Sequence, residues 1–189
     1  NTPPVPVAPR PATLPLLAAP TPCQAPVLPA TSAITAAGPR LVNGGADYTQ
    51  PTLRTAAVKS AIHRMAAFAP LHNRVELQGI ELVEKTFGPI PQIAVFDTAF
   101  FAELPEVAST YALPRALCRD LAIRRYGFHG LAHQPQWCSW PREAKRTGGR
   151  LISFPRGSGS AISATAGGLP GSPSLGLAPP GRWALRTPA

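Results

Sequence analysis

The sequence predicts an α/β fold, and three observations carry that expectation. Two short apolar runs, Ile93–Phe96 and Ile123–Phe128, each end on a polar residue, Asp97 and His129. Ahead of the first run lie two stretches whose apolar residues recur every three or four positions, the period of a helix with one buried face. Helix followed by strand is the rhythm of a crossover joining parallel strands. In an open parallel sheet, ligands sit outside the carboxyl ends of the strands, so Asp97 and His129 read as one candidate site at one sheet edge.

Residues 1–37 form a Pro/Ala tract, and eleven of the 25 prolines fall before Arg40. Such a tract favours extended, solvated backbone and is expected to be a disordered extension. An α/β segment is expected over residues 38–166. It opens with a short strand at Leu41-Val42 that ends in the Gly44-Gly45 turn. Pro51 is expected at the start of a helix capped by Thr49, with Leu53, Ala57, Ala61, Met65 and Phe68 as its buried stripe. Pro70 ends that helix, and Asn73 is expected to cap a second with Leu77, Ile80, Val83 and Phe87 inward.

The Gly88-Pro89 turn leads into strand Ile93–Phe96, and a proline-punctuated loop and helix region follows from Leu104 to Leu121. The run Ile123–Phe128 is expected as a second parallel strand. After His133, Pro135 and Trp137 are expected to interrupt any helix. Leu151–Phe154 reads as a further strand, residues 155–160 as a glycine turn, and residues 167–189 as a Gly/Pro/Ser-rich tail without apolar periodicity.

The net charge of +9 invites a nucleic-acid reading, but its distribution argues against one. From Gly38 to Pro135 there are ten Lys or Arg against eight Asp or Glu, a balance of only +2. The excess comes from the ends and from the basic run Arg142–Arg156, which lacks the interleaved aromatics of a nucleic-acid groove. Cys23, Cys118 and Cys138 make no CxxC pair, so reduced thiols and a cytoplasmic setting are expected. Proline every few positions in the uncharged stretch 11–39 breaks any spanning helix there, and no membrane partner is expected. His129 and His133 have the i, i+4 spacing of metal ligands with Cys138 nearby, but no fourth ligand follows, so no metal site is assigned.

Four motifs carry a resemblance to a known family. Gly38-Pro39-Arg40-Leu41-Val42-Asn43-Gly44-Gly45, Ala69-Pro70-Leu71-His72-Asn73, the run from Ala94 to Phe100 (AVFDTAF), and Arg124 to Gly130 (RRYGFHG) with His133 beyond it resemble the acetate/propionate kinase family. The resemblance is good over residues 38–133, holds in outline to 189, and is not visible upstream of Gly38. It implies part of an actin-like, sugar-kinase-superfamily (ribonuclease H-like) domain. It also implies a phosphotransferase that moves phosphate between ATP and acetate with Mg2+, usually as a homodimer. By motif position, Asp97 and His129 correspond to catalytic residues, and Arg40 and His72 to substrate-binding ones. Gly157 and Gly159 fall in a nucleotide-binding turn, and His133 has a structural role.

Those residue types suit phosphoryl transfer, which asks the protein chiefly to hold two anions together and neutralise the charge of the transferring group. A guanidinium pairs two oxygens at once, and a donor fixed at a strand end needs no reorganisation as charge develops. The chain also departs from the family pattern. Asn43 and Phe101 stand where the family has His, Arg74 replaces a Pro, and Leu131-Ala132 replace Thr-Ser. Pro155 and Ser158 replace His and Asn, and Thr187-Pro188 falls where a second catalytic arginine belongs. The family's second, ATP-closing domain would begin about where the chain stops. The activity is therefore expected to be impaired or absent, with a non-catalytic anion-binding remnant, or the translated product of a decayed gene, as the alternative.

Overall fold

The computed structural model describes residues 33–69, 72–145, 147–157 and 159–177. Pro39 holds the chain extended into β1 (Arg40–Leu41), which runs parallel to β3 (Ile93–Phe96) with Arg40 opposite Val95 and Leu41 opposite Phe96. The pairing starts upstream, with Ala37 opposite Gln92. Ordered backbone therefore reaches into the end of the expected extension; residues 1–32 lie outside the described residues. The other edge of β3 takes β2 (Thr52–Leu53) antiparallel, giving the order β1-β3-β2.

β2 corrects the expected start of the first helix. Pro51 precedes a strand, and α1 (Ala56–Met65) begins after Thr55, whose hydroxyl accepts the Val58 N–H at 3.3 Å. The buried face is Val58, Ala61, Ile62 and Ala66, while Leu53 and Ala57 are exposed. Counting the helical period from Leu53 drew a strand residue into the helix and shifted the stripe. In α2 (Asn73–Phe87) the expected inner face holds, with Ile80 fully buried and Leu77 packed on the core. Asn73 is not its cap. His72 occupies that position, and Asn73, buried, donates to the carbonyls of Asn43 at 3.2 Å and Ile62 at 3.1 Å. The first core is Leu41, Val58, Ile62, Ile80, Ala94 and Phe96.

The largest correction concerns Ile123–Phe128, which is not a strand. Its donors go elsewhere: Arg125 N–H to Ser109, and Tyr126 and Gly127 N–H to the Gly176 carbonyl. Left-handed backbone at Ala122 and Gly127 (φ 51° and 76°) breaks the pleat at both ends of the run. The short helices α3 (Glu106–Ser109) and α4 (Arg115–Asp120) fill the expected loop and helix region.

α5 (Gly130–Ala144) continues through Pro135 and Pro141 where an interruption was expected. Each proline removes one ladder bond, to the Leu131 and Trp137 carbonyls, while Gln136 Nε2 donates to the Ala132 carbonyl and His133 is anchored from the side. β4 (Arg150–Ser153), β5 (Ser163–Ala166) and β6 (Leu169–Pro173) then form an antiparallel meander. β6 lies inside the expected tail. Small residues satisfy a ladder without apolar alternation, and Leu175 and Leu177 pack on the second core of Val42, Ala69, Tyr126 and Phe128. The rest of that tail, from residue 178, lies outside the described residues.

Candidate active site

β1 and β3 both run toward the same end of the sheet, and that end gathers the candidate residues. Asp97, the first residue past β3, has its N–H on the Leu41 carbonyl and its side chain almost fully buried. Arg40 reaches it with two bonds, Nε to Oδ1 at 3.3 Å and Nη2 to Oδ2. The arginine side chain remains 54% exposed. Both N–H groups of Nη1 and one of Nη2 are thus left for an incoming anion.

His129 reaches the same place without a strand. The corner Gly127-Phe128-His129-Gly130 turns sharply: Gly127 is left-handed and packs directly on the Phe101 ring, and His129 is itself left-handed (φ 61°). Gly130 donates its N–H to the Asp97 carbonyl at 3.1 Å, and a Cβ there would strike that carbonyl and Phe100. Only glycine lets α5 begin this close to the end of β3. His129 occupies the cap position of α5 but makes no side-chain cap bond, so its ring is not spent on the helix. Positive φ in a non-glycine residue stores strain of the kind that collects at functional sites.

The electrostatics tie His72 to this cluster. Burial is the main cause that lowers the pKa of His72, with the Arg40 charge acting in the same direction. Burial also lowers His129; Asp97 opposes this, and Arg40 and His72 add to it. Both imidazoles are accordingly neutral at pH 7 and able to donate one hydrogen bond each. Gly159 comes from the other side: a Cβ on it would approach His129 Cε1 to 3.3 Å. Arg40, Asp97, His129 and Gly159 therefore meet, and His72 lies within reach of the Arg40 and Asp97 charges. Gly157 N–H is spent on the Gly159 carbonyl at 3.0 Å, and Ser158 and Thr187-Pro188 lie outside the described residues.

Three contacts were not legible in the sequence. Thr98 accepts the Gly44 N–H at 3.1 Å and so fixes the glycine turn above the site. Glu76, one helical turn beyond His72, accepts the Val42 N–H at 3.0 Å; its i+4 spacing from His72 was the available signal. Buried His133 has Nδ1 2.6 Å from Ser153 Oγ, which in turn donates to the Ser163 carbonyl, so α5 is tied to the second sheet. Two of the unusual residues serve the frame: Asn43 Oδ1 accepts the Gly45 N–H at 2.8 Å, and Phe101 is fully buried edge-on to His133.

Among the described residues no cluster of three His, Cys, Asp or Glu could hold a metal, and Asp97 commits both oxygens to Arg40. With Gly157 N–H also engaged, the described residues offer neither a protein-built Mg2+ site nor a ready cradle for a triphosphate.

This α/β frame, with its polar cluster at the strand ends, is that of the actin-like ATPase and sugar-kinase fold. The chain belongs to the acetokinase family, whose model matches residues 17–182 and so extends the likeness well upstream of Gly38. It is 41% identical over 169 residues to an acetate kinase of Cyanothece sp., covering 87% of this chain and 40% of that protein. It is 43% identical over 154 residues to an acetate kinase of Gloeobacter violaceus, covering 78% and 37%. Among solved structures, a propionate kinase from Francisella tularensis superposes with a TM-score of 0.73 at 33% identity, over 76% of this chain and 38% of that one. Porphyromonas gingivalis acetate kinase gives 0.71 at 36%, over 77% and 37%. The chain thus spans about 40% of the length of the curated relatives it matches.

Proposed function

We propose that this chain carries the anion-holding half of an acetate-kinase site, in which Arg40, His72 and His129 bind the carboxylate and the phosphoryl group exchanged between them. The observation behind this is the open edge of Arg40: Asp97 takes two of its five N–H groups, and the half-exposed guanidinium keeps three without a partner among the described residues. In this reading Asp97 orients Arg40 without touching the anion. His129 and His72 donate from neutral rings to oxygens that gain charge, from positions fixed beforehand by the Gly130 contact and the α2 entry. Family membership brings ATP as phosphoryl donor and Mg2+ as its counter-ion, with acetate or another short carboxylate as acceptor. It also brings a homodimer and a cytoplasmic setting; among the described residues no helix is long and apolar enough to cross a membrane.

Turnover by the chain alone is proposed to be impaired or absent, because the nucleotide side rests on Gly157 and Gly159 and the first has its N–H engaged. That engagement favours the second reading, an anion-binding remnant without catalysis. A coupled assay for acetyl phosphate tests the pair. Little or no turnover is expected, and any activity present should vanish in Arg40→Ala. Robust turnover that survives Arg40→Ala would contradict the assignment of Arg40.

A further inference from the structure

Glu76 stands on the first turn of α2, with its carboxylate on the β1 side of the helix. One oxygen accepts the Val42 N–H at 3.0 Å, two residues along the chain from Arg40. The charges acting on it are Arg40 from β1 and Asp97 from the end of β3; His72 lies one turn earlier on its own helix. Burial is the first cause that raises its pKa; Asp97 adds to the rise, while the Val42 bond and Arg40 oppose it. Arg40 is thus influenced by two carboxylates. Asp97 is joined to it by two bonds and cannot leave without exposing a buried charge. Glu76 is held by a backbone N–H instead, and that bond does not require it to be ionised.

We infer that Glu76 is a positioning and tuning residue of the anion pocket: its carboxylate fixes the end of β1 through Val42 and, when ionised, opposes the binding of a second anion at Arg40. The inference rests on the anion-holding reading above and adds a control that reading does not contain. An ionised Glu76 spends part of the Arg40 field before any ligand arrives. A protonated or neutral one leaves it to the ligand. The affinity of the pocket for an oxyanion should therefore rise as Glu76 takes up its proton, and by reciprocity a bound oxyanion should raise the pKa of Glu76.

Sulfate is a suitable probe because it keeps its double charge across the range in which Glu76 and the histidines titrate. Glu76→Gln keeps an acceptor for Val42 and removes the charge. Calorimetric titration should show the variant binding sulfate about three- to tenfold more tightly than the parent at about pH 8, the effect of one nearby charge in a partly solvated site. The ratio should shrink at a lower pH, where the parent's Glu76 becomes protonated. His72 and His129 gain protons in both proteins over that range, so the ratio isolates Glu76. Equal affinities at both pH values, or a weaker variant at the higher one, would overturn the inference and leave the anion pocket standing. Absence of sulfate binding in both proteins would overturn the pocket and this inference with it. Should the variant not fold, carboxyl-carbon NMR titration of the parent decides the matter: saturating sulfate should move the Glu76 midpoint upward, and an unmoved midpoint would refute the coupling.

Discussion

At the scale of single residues, close approach governs the site more than polarity does. Gly130 and Gly79 are both helical glycines, yet a Cβ on Gly79 meets open space while one on Gly130 meets the Asp97 carbonyl and Phe100. Gly130→Ala should therefore cost about 3 kcal/mol or more, since neither a backbone oxygen nor the start of α5 can yield without opening the site. Gly79→Ala should raise stability by up to about 1 kcal/mol through helix propensity alone. Urea unfolding of the two variants checks this, and similar effects of both would refute the packing described for the Asp97–His129 corner. The polar residues at this scale were readable early. Arg40, His72, Asp97 and His129 stand in short motifs; Arg40, Asp97 and His129 come together at the strand ends, and His72 lies within reach of their charges. Glu76 and Thr98 were not singled out because their parts are played against backbone N–H groups of Val42 and Gly44, which leave no trace in residue type.

At the scale of elements, a regular period was easy to read and its origin was not. The inner face of α2 follows from Leu77, Ile80, Val83 and Phe87, whereas α1 was displaced because β2 is two residues long and its Leu53 fits a helical count. Ile123–Phe128 has strand composition but is tied to Ser109 and Gly176, and only the folded chain reveals those partners. α5 runs through two prolines, and His133 anchors it to Ser153. That anchor has a pH signature. Burial, helped by the His129 charge, lowers the His133 pKa to about 4, below its ordinary 6.5. The unfolded chain therefore binds this proton more readily than the folded one. Stability due to His133 is complete above about pH 6.5 and falls as the pH drops toward about 4, by roughly 3 kcal/mol in all. His133→Asn keeps a donor for Ser153 and cannot titrate, so its stability should fall less between pH 7 and pH 5 than the parent's. Parallel slopes in denaturant unfolding would show that His133 is not the titrating group.

At the scale of the whole molecule, the described residues form one sheet that ends in the site and a second sheet that braces it through α5. Ion pairs knit the first layer, with Glu84 taking both Arg54 at 2.8 Å and Lys59 at 2.6 Å. The described residues hold a coherent polar corner at the strand ends, with Asp97 buried behind Arg40 and two neutral imidazoles nearby. That coherence makes oxyanion binding the central claim, independent of turnover. Calorimetric titration of inorganic phosphate into the parent chain and into Arg40→Ala tests it most directly. At a fixed pH the parent should bind at a single site, and Arg40→Ala should lose at least about tenfold in affinity, the worth of one charge-assisted pair. Phosphate binding of equal strength in both proteins, or none in a folded parent, would contradict it.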